Sequence, residues 1–248
     1  MNICLFTQEE INQPLNLKDE RAQHLIKVLH KKEGDTFTAG IVDGQSGTAA
    51  ISKINLEEKN ISFTFQPQGD GKPLYPLTMI IGFPRPIQLK RLLRDMAGLG
   101  VDEIHLTATQ LTDKSYLKSD LASPENCRQM LFDGTVQAGG THIPQIFMHA
   151  SLEECLSALK EKISSTPDLY ALDNIDASDS LNHRLLSNPQ PKSALAAIGS
   201  ERGWTAAERK LFEEKGFCRL RMGERIFRTE TASTVAASLI LARMGKLE

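Results

Sequence analysis

The chain has 248 residues, of which 40% are hydrophobic and 24% are charged. These fractions are ordinary for globular proteins and exclude a largely disordered chain. The formal net charge of −2 excludes a uniformly basic coat that would bind nucleic acid without specificity. No segment approaches the ~20 apolar residues of a membrane span, so we expect a cytoplasmic protein without a membrane partner.

Cysteine and histidine spacing gives no sign of a metal site. The four cysteines form no CxxC pair, which favours reduced, mostly buried thiols over a disulfide framework. The six histidines show neither HxxxH nor HExxH spacing, so none is assigned to a metal.

The first part of the chain is rich in predicted strands. A helix is expected after Asp19, a candidate N-cap, because Leu25, Val28 and Leu29 recur at helical spacing and Gly34 follows. The strands are expected at 2–6, 35–42, 48–56 and 61–66, with turn residues between the last three. This pattern predicts a small β-rich unit.

Residues 67–76 concentrate proline and glycine, as boundaries between compact units do. Beyond them, predicted strands alternate with helices, which favours crossover connections, a parallel sheet and an α/β class. Two helices begin at candidate capping boxes, Ser151 to Glu154 and Thr205 to Glu208. The strands are expected at 77–82, 103–108, 145–149, 168–173, 194–199 and 217–221, and the other helices at 87–98, 124–138 and 230–244.

Ligands of open parallel sheets bind beyond the carboxyl ends of the strands, so the loops after 173, 199 and 222 are the informative ones. In the second of these loops, Gly199 and Gly203 allow a sharp turn, a positive φ and a close approach to a ligand. The chain contains neither GxxxxGK[ST] nor a GxGxxG after a strand, which disfavours a P-loop and a dinucleotide site.

Three side chains in these loops admit alternative roles. Arg228, just ahead of a helix start, could bind phosphate or pair with Glu224 or Glu230. Glu201 could cap backbone amides or contact a ligand, with capping the more common role of a carboxylate in such a turn. Trp204 is expected to pack beneath its loop rather than stack on a base.

Two segments together resemble a known pair of signatures. Ile198-Gly-Ser-Glu-Arg-Gly-Trp-Thr-Ala-Ala-Glu208 is similar to IGPEGGFSxxE, and Met222-Gly-Glu-Arg-Ile-Phe-Arg-Thr-Glu-Thr-Ala232 is similar to LGxRILRTETA. These signatures mark the RsmE-type 16S ribosomal RNA uracil-N3 methyltransferases of the SPOUT superfamily. Weaker similarity extends over most of the chain, at 24–29, 99–101, 136–139 and 143–146.

The resemblance implies a domain organisation that periodicity alone does not reveal. It implies a PUA-like, RNA-binding β-barrel over residues 1–68 and a SPOUT methyltransferase domain over 74–248 with a C-terminal trefoil knot. It also implies S-adenosylmethionine as cofactor, ribosomal RNA in the small subunit as partner, and a homodimer. The terminal helix would suit such a dimer through its small and apolar residues Ala232, Val235, Ala236, Leu239 and Ile240.

The resemblance also implies roles for individual residues. Arg228 would fix the nucleotide, and Glu230 is the nearest carboxylate that could take the N3 proton, so both are catalytic candidates. The RNA-binding candidates are Arg21, His24, Lys27 and Arg225. The cofactor-binding candidates are Leu172, Ile198, Gly199, Glu201, Gly203, Met222, Gly223, Ile226 and Thr229.

The chain also departs from the family pattern. Ser200 and Arg202 replace a proline and a glycine of the first signature, and Asp95, Gly98 and Gly140 stand where the family has charged residues. Two alternative functions therefore stay open: a SPOUT enzyme acting on another base or on a ribose 2′-hydroxyl, and a non-catalytic RNA-binding protein.

Overall fold

The computed structural model describes residues 2–166, 168–187 and 189–248. The chain divides into two compact units, each with its own sheet. The first unit runs to Pro73 and also includes Asp133–Ile143. The second comprises Leu74–Phe132 and Pro144–Glu248.

The first unit is built on a five-stranded sheet in the order β1-β3-β4-β5-β2. Its strands pair antiparallel, except that β1 runs parallel to β3. Buried side chains alternate along β3 and β4, as expected for a sheet with one face on a core. The strands are β1 (Cys4–Phe6), β2 (Leu15–Asn16), β3 (Thr36–Ile41), β4 (Ser46–Asn55) and β5 (Asn60–Gly69).

The early helix differs from its prediction. Asp19 is the N-cap and its side chain accepts from the backbone N–H of Arg21, but the α-helix, α1, covers only Glu20–Gln23. A π-helical turn, His24–Val28, follows. This wider turn rotates the chain, so that Leu25 is buried whereas Val28 and Leu29 are 60% and 46% exposed. The predicted helix after Asp19 is therefore present, but its three apolar residues do not share one buried face.

The second unit contains a seven-stranded sheet in the order β10-β12-β9-β11-β6-β7-β8. All of its strand pairs are parallel, which confirms the predicted α/β class. The strands are β6 (Tyr75–Gly82), β7 (Val101–Thr107), β8 (Gln145–His149), β9 (Asp168–Leu172), β10 (Asp179–Ser180), β11 (Ala194–Ile198) and β12 (Cys218–Arg221). Strands β9 and β11 are almost wholly buried, as expected for central strands covered on both faces.

Residues at the ends of the helices in this unit account for where helix α2 begins and ends. Helix α2 (Pro86–Leu99) has proline in its first turn, ends at Gly100 with φ 76°, and buries the predicted face Leu89, Leu92, Leu93 and Met96. The others are α3 (Pro124–Ala138), α4 (Leu152–Ala158), α5 (Lys160–Ser165), α6 (Leu181–Ser187), α7 (Ala206–Glu214) and α8 (Thr229–Arg243).

One of the two predicted capping boxes is complete. At α7 the Thr205 side chain and the Glu208 carboxylate each accept the other's backbone N–H. At α4 the Ser151 hydroxyl accepts from Glu154, but the Glu154 carboxylate accepts from Ala150 instead. Sequence analysis missed β2, β10, α6 and two 3₁₀ turns at Tyr116–Lys118 and Asp120–Ala122, since all five are short.

Within the described ranges, every helix is too short or too polar to cross a lipid bilayer.

Candidate functional site

A cleft of about 530 Å³ lies beyond the carboxyl ends of β9, β11 and β12. Parallel sheets place ligand sites at this edge, because the connecting loops diverge there. Eight of the nine predicted cofactor-binding residues line the cleft, and Gly223 does not. The lining comprises Leu172, Asp173, Asn174, Ile198, Gly199, Ser200, Glu201, Gly203, Met222, Ile226, Phe227, Thr229 and Ala232.

The glycine loop, residues 198–204, forms one wall of the cleft and is held by many contacts. The N–H of Gly203 donates to the carbonyl of Ser200 at 2.8 Å, closing a turn. The buried Ser200 hydroxyl lies 3.1 Å from that of Thr109. The serine that replaces the family's proline therefore gains a side-chain hydrogen bond.

Gly82, the last residue of β6, allows the glycine loop to pack against the sheet. A Cβ added there would lie 2.3 Å from the backbone nitrogen of Ser200 and 2.8 Å from the carbonyl carbon of Gly199. Backbone atoms cannot swing aside as a flexible side chain can, so only glycine fits. Sequence analysis missed Gly82, and the signal that points to it is a glycine closing a buried strand at the ligand edge.

The predicted role of Gly199 needs one correction. Its φ is not positive, and the left-handed residue of the turn is Gly203, with φ 71°. A Cβ at Gly199 would meet the Cα of Gly203 at 2.9 Å. The space at Gly199 is thus taken by the loop itself, not kept open for a ligand alone.

Glu201 and Trp204 both take the capping and packing roles expected of them. The Glu201 carboxylate accepts the backbone N–H of Arg85 at 2.8 Å, just before α2. Trp204 is buried, and its indole N–H donates to the carbonyl of Leu172 at 3.1 Å. Its ring packs edge-on against Phe212. The loops that follow β9 and β11 are therefore tied together beneath the cleft.

Asp173, which sequence analysis did not single out, anchors the first loop. Its side chain is 4% exposed and binds the guanidinium of Arg209 at 2.5 Å and that of Arg219 at 3.5 Å. It also accepts the N–H of Ile175. Paired and hydrogen-bonded, this buried charge can hold the loop where a lone carboxylate could not. Its sequence signal is an acidic residue closing the apolar strand at 168–172.

The second wall of the cleft, residues 222–228, is more exposed. Gly223 to Ile226 are all exposed, Ile226 to 82%. This wall is fixed at its end, where the buried Thr229 hydroxyl donates to the carbonyl of Gly199 at 3.2 Å. The two family signatures are thus in direct contact.

A second cavity, of about 590 Å³, adjoins this cleft at Glu201, which lines both. The predicted catalytic pair Arg228 and Glu230 line it, together with Arg85 and Gln88. Among the described residues, Arg228 forms no ion pair within 4.0 Å of either Glu224 or Glu230, whereas Arg85 lies 3.9 Å from Glu201. Glu230 is buried at the start of α8. The geometry brings the catalytic candidates beside the cofactor candidates.

The predicted RNA-binding residues lie in different surroundings. In the first unit, Lys27 is exposed and His24 is half-buried. Arg225 is exposed on the second wall of the cleft. The guanidinium of Arg21 is bound inside its own unit, to Glu10, to Asp19 and to the carbonyl of Leu5.

The hydrogen bonds from Arg21 also lower the pKa of both carboxyl groups, Glu10 and Asp19. Most donors of Arg21 are therefore engaged within the first unit. Its contact with RNA stays a prediction, as do those of His24, Lys27 and Arg225.

The cleft fits a nucleotide-like ligand. Apolar side chains of Leu172, Ile198 and Met222 line it beside the backbone of two glycines, which offers flat contact and hydrogen bonding together.

Residues 70–241 match the family described as RNA methyltransferase domain. The ribosomal RNA small subunit methyltransferase E of Treponema pallidum is 40% identical over 247 residues, which cover 98% of this chain and 91% of the relative. The ribosomal RNA small subunit methyltransferase E 1 of Borreliella burgdorferi is 32% identical over 243 residues, 98% of each chain.

A solved structure extends the likeness to the fold. The ribosomal RNA small subunit methyltransferase E of Neisseria gonorrhoeae, bound to S-adenosyl methionine, superposes with a TM-score of 0.73 at 20% identity. The superposition covers 98% of this chain and 97% of that one. The chain therefore belongs to the RNA methyltransferase family that includes the small-subunit ribosomal RNA methyltransferases E.

Proposed function

We propose that this protein transfers the methyl group of S-adenosylmethionine to N3 of a uridine in small-subunit ribosomal RNA. The observation that carries the proposal is the pairing of two cavities: a cleft lined by both family signatures, and a polar cavity beside it that shares Glu201. The names of the relatives support small-subunit ribosomal RNA as the substrate. The solved relative was bound to S-adenosyl methionine, which supports the same cofactor here.

The cofactor would lie in the cleft between the glycine loop and residues 222–228. Leu172, Ile198 and Ile226 offer apolar surface to an adenine ring, and the backbone near Gly199 and Gly203 offers hydrogen bonds. The fixed glycine loop would hold its part of the ligand without reorganising, which lowers the entropic cost of binding. When bound, S-adenosylmethionine supplies an electrophilic methyl group.

The uracil would lie in the second cavity. Arg228 and Arg85 can donate to phosphate or carbonyl oxygens. Gln88 also lines this cavity, and its side-chain N–H can donate to a uracil carbonyl oxygen while leaving N3 free for the methyl group. We assign Gln88 a role in selecting uracil.

Positioning would account for most of the rate. Methyl transfer is an in-line displacement, and holding two reactants in line can contribute ~7–11 kcal/mol. The remaining requirement is loss of the N3 proton, for which Glu230 is the available carboxylate in the cavity.

Four broader features belong to the same proposal. The first unit would act as a PUA-like, RNA-binding domain over residues 1–68, and the second as a SPOUT domain over 74–248 with its C-terminal chain knotted. A homodimer would form through α8, where Leu239 is 36% exposed while Ala232, Ala236 and Ile240 are buried within the chain. The small-subunit substrate would place the enzyme in the cytoplasm.

The product distinguishes this function from its nearest alternatives. A methyl group on N3 blocks the Watson–Crick edge, so reverse transcriptase should stop one nucleotide before it, whereas a ribose methyl group leaves that edge free. Small-subunit RNA from cells with the gene should show one strong stop that disappears in the deletion strain. Restoring the wild-type gene should restore the stop fully, and restoring the Arg228→Ala variant should give a weaker stop.

Other outcomes would redirect the proposal. An unchanged stop, together with calorimetric binding of S-adenosylmethionine to the purified protein, would leave a methyltransferase with a different target atom. An unchanged stop without cofactor binding would favour a protein that only binds RNA.

A further inference from the structure

A second group of chemically capable side chains lies away from the cleft, beside the edge strand β8 of the parallel sheet. His105 on β7, His149 at the end of β8 and Cys155 on α4 each offer one ligand atom, and these atoms lie within 4.8 Å of one another. The edge strand β8 is separated from β11 by β6 and β7. The reaction proposed above uses none of these residues.

The two imidazoles already face each other. Nδ1 of His105 lies 2.9 Å from Nε2 of His149, and the rings stack with 9° between their planes.

A carboxylate supports the more buried ring from behind. Nε2 of His105 lies 3.4 Å from Glu103, whose other oxygen binds the ammonium of Lys162 at 2.5 Å. When Nε2 of His105 carries the proton and donates it to Glu103, Nδ1 of His105 is unprotonated and its lone pair points toward His149. Metal-ligating histidines are oriented in this way by a carboxylate on their second nitrogen.

We propose that His105, His149 and Cys155 bind one Zn²⁺ ion, which ties the edge strand β8 to β7 and α4. Two imidazoles and a thiolate form a ligand set that Zn²⁺ prefers over Mg²⁺ or Ca²⁺. In a tetrahedral site with bonds of ~2.0–2.3 Å, ligand atoms lie ~3.3–3.8 Å apart, so closing the site needs shifts of about 1 Å. His149 is half-buried on an edge strand and can supply that movement.

Two features of the site follow from its ligands. Three protein ligands leave a fourth position for water or an added ligand. Binding of Zn²⁺ to Cys155 must displace the thiol proton, as it does at other thiolate sites.

Sequence spacing could not reveal this group. The ligands stand at positions 105, 149 and 155 on three elements, and the parallel pairing of β7 with β8 brings them together. Spacing rules detect ligands on one turn or one helix, which is why no histidine was assigned to a metal.

The test uses the full chain without an affinity tag, stripped with a chelator and titrated with Co²⁺ and then with Zn²⁺. We expect one equivalent of Co²⁺ with tetrahedral absorption bands and a thiolate charge-transfer band, displaced by Zn²⁺. Cys155→Ser should abolish the charge-transfer band. Glu103→Gln should lower Zn²⁺ affinity by about 10–100-fold, as loss of a supporting carboxylate does.

Cys218→Ser and His183→Gln are matched controls, because Cys218 and His183 lie outside the cluster, and both should leave binding unchanged. If Cys155→Ser fails to fold, the charge-transfer band of the wild-type protein and the loss of affinity in His149→Gln decide the question. No stoichiometric binding at micromolar metal would overturn the proposal. Metal binding that survives both Cys155→Ser and His149→Gln would overturn it as well. Neither result bears on the binding of S-adenosylmethionine in the cleft.

Discussion

The two walls of the cleft are built differently. The glycine loop, residues 198–204, is fixed by the turn at Gly203, by the Ser200 hydroxyl against Thr109 and by Trp204 beneath it. The wall at 222–228 exposes four successive residues, Gly223 to Ile226, and is fixed chiefly at Thr229. The glycine loop is therefore a preformed wall, whereas residues 222–228 form an exposed wall that we expect to close on a ligand.

This difference suits a methyltransferase that must bind both a cofactor and an RNA. A preformed wall reduces the ordering cost of binding a ligand, and an exposed wall can order when a ligand binds. Arg228 lies at the junction, as the N-cap of α8, and lines the second cavity. The two walls should therefore respond differently to substitution.

The largest expected effect is that of Gly82→Ala, which removes the space into which the preformed wall packs. The added Cβ would lie 2.3 Å from the nitrogen of Ser200, so the loop must shift. Overpacking of this kind costs about 1–3 kcal/mol of unfolding free energy, and cofactor affinity should fall with it. Chemical denaturation and calorimetry with S-adenosylmethionine measure the two effects.

Gly98→Ala is the matched control. Gly98 lies exposed on α2, and an added Cβ there meets nothing within 4 Å. The free energy of unfolding of Gly98→Ala should rise by up to about 1 kcal/mol, because alanine has a higher helix propensity than glycine. Equal behaviour of Gly82→Ala and Gly98→Ala would mean that the packing at Gly82 is not limiting.

Arg228→Ala should separate binding from transfer. Loss of a hydrogen bond from a charged donor costs about 1.5–3 kcal/mol, so methyl transfer should fall by about 10–100-fold. Cofactor affinity should stay within about twofold, since Arg228 lines the second cavity and not the cleft. Single-turnover methylation and calorimetry distinguish the two. Lys210→Ala, exposed on α7, is the control, and a parallel loss of cofactor affinity in Arg228→Ala would move this residue into the cofactor site.

Thr229→Val tests the hydrogen bond that joins the two walls. Valine keeps the shape but leaves the carbonyl of Gly199 without its partner, which should cost about 1 kcal/mol of stability. Cofactor affinity should fall severalfold because the exposed wall loses its anchor. Thr231→Val, two residues further along α8, is the control. A normal affinity in Thr229→Val would show that the walls bind independently.

Much of the fold could be predicted from sequence, because its signals are local. Buried strands, the apolar face of α2 and the Thr205 capping box each depend on residues close together in the chain. The helix after Asp19 was also predicted from local spacing, but only its first turn, Glu20–Gln23, is α-helical. Its apolar spacing was helical, but a π-helical turn exposed Val28 and Leu29, and packing rather than spacing decided that.

In the candidate site, too, features that depend on neighbouring residues were predicted and features that depend on distant residues were missed. The two signature segments were predicted from sequence, and they do meet in one cleft. Gly82 and Asp173 were missed, since their partners lie far away in the chain, at Ser200 for one and at Arg209 and Arg219 for the other. Close approach between distant segments has no local signature, so only the folded chain reveals it.

The last comparison uses a matched pair of glycines, one in each wall, and the smallest effect is expected for the second of them. Gly203 has φ 71° and Gly223 has φ 87°, and an added Cβ would meet nothing within 4 Å at either position. Substitution by alanine therefore changes only backbone strain, which for a left-handed residue costs about 1–2 kcal/mol. In the preformed wall the loop cannot relax, because a hydrogen bond from Gly203 itself closes the turn, so Gly203→Ala should show the full cost.

In the exposed wall, Gly223 can change its φ without breaking a neighbour's contacts, so Gly223→Ala should cost well under 1 kcal/mol. Cofactor affinity should follow the same order, with the larger loss in Gly203→Ala. Parallel denaturant titrations of the two variants measure the difference directly. Equal losses would show that residues 222–228 are as firmly held as the glycine loop, and the contrast between a preformed wall and a closing wall would have to be given up.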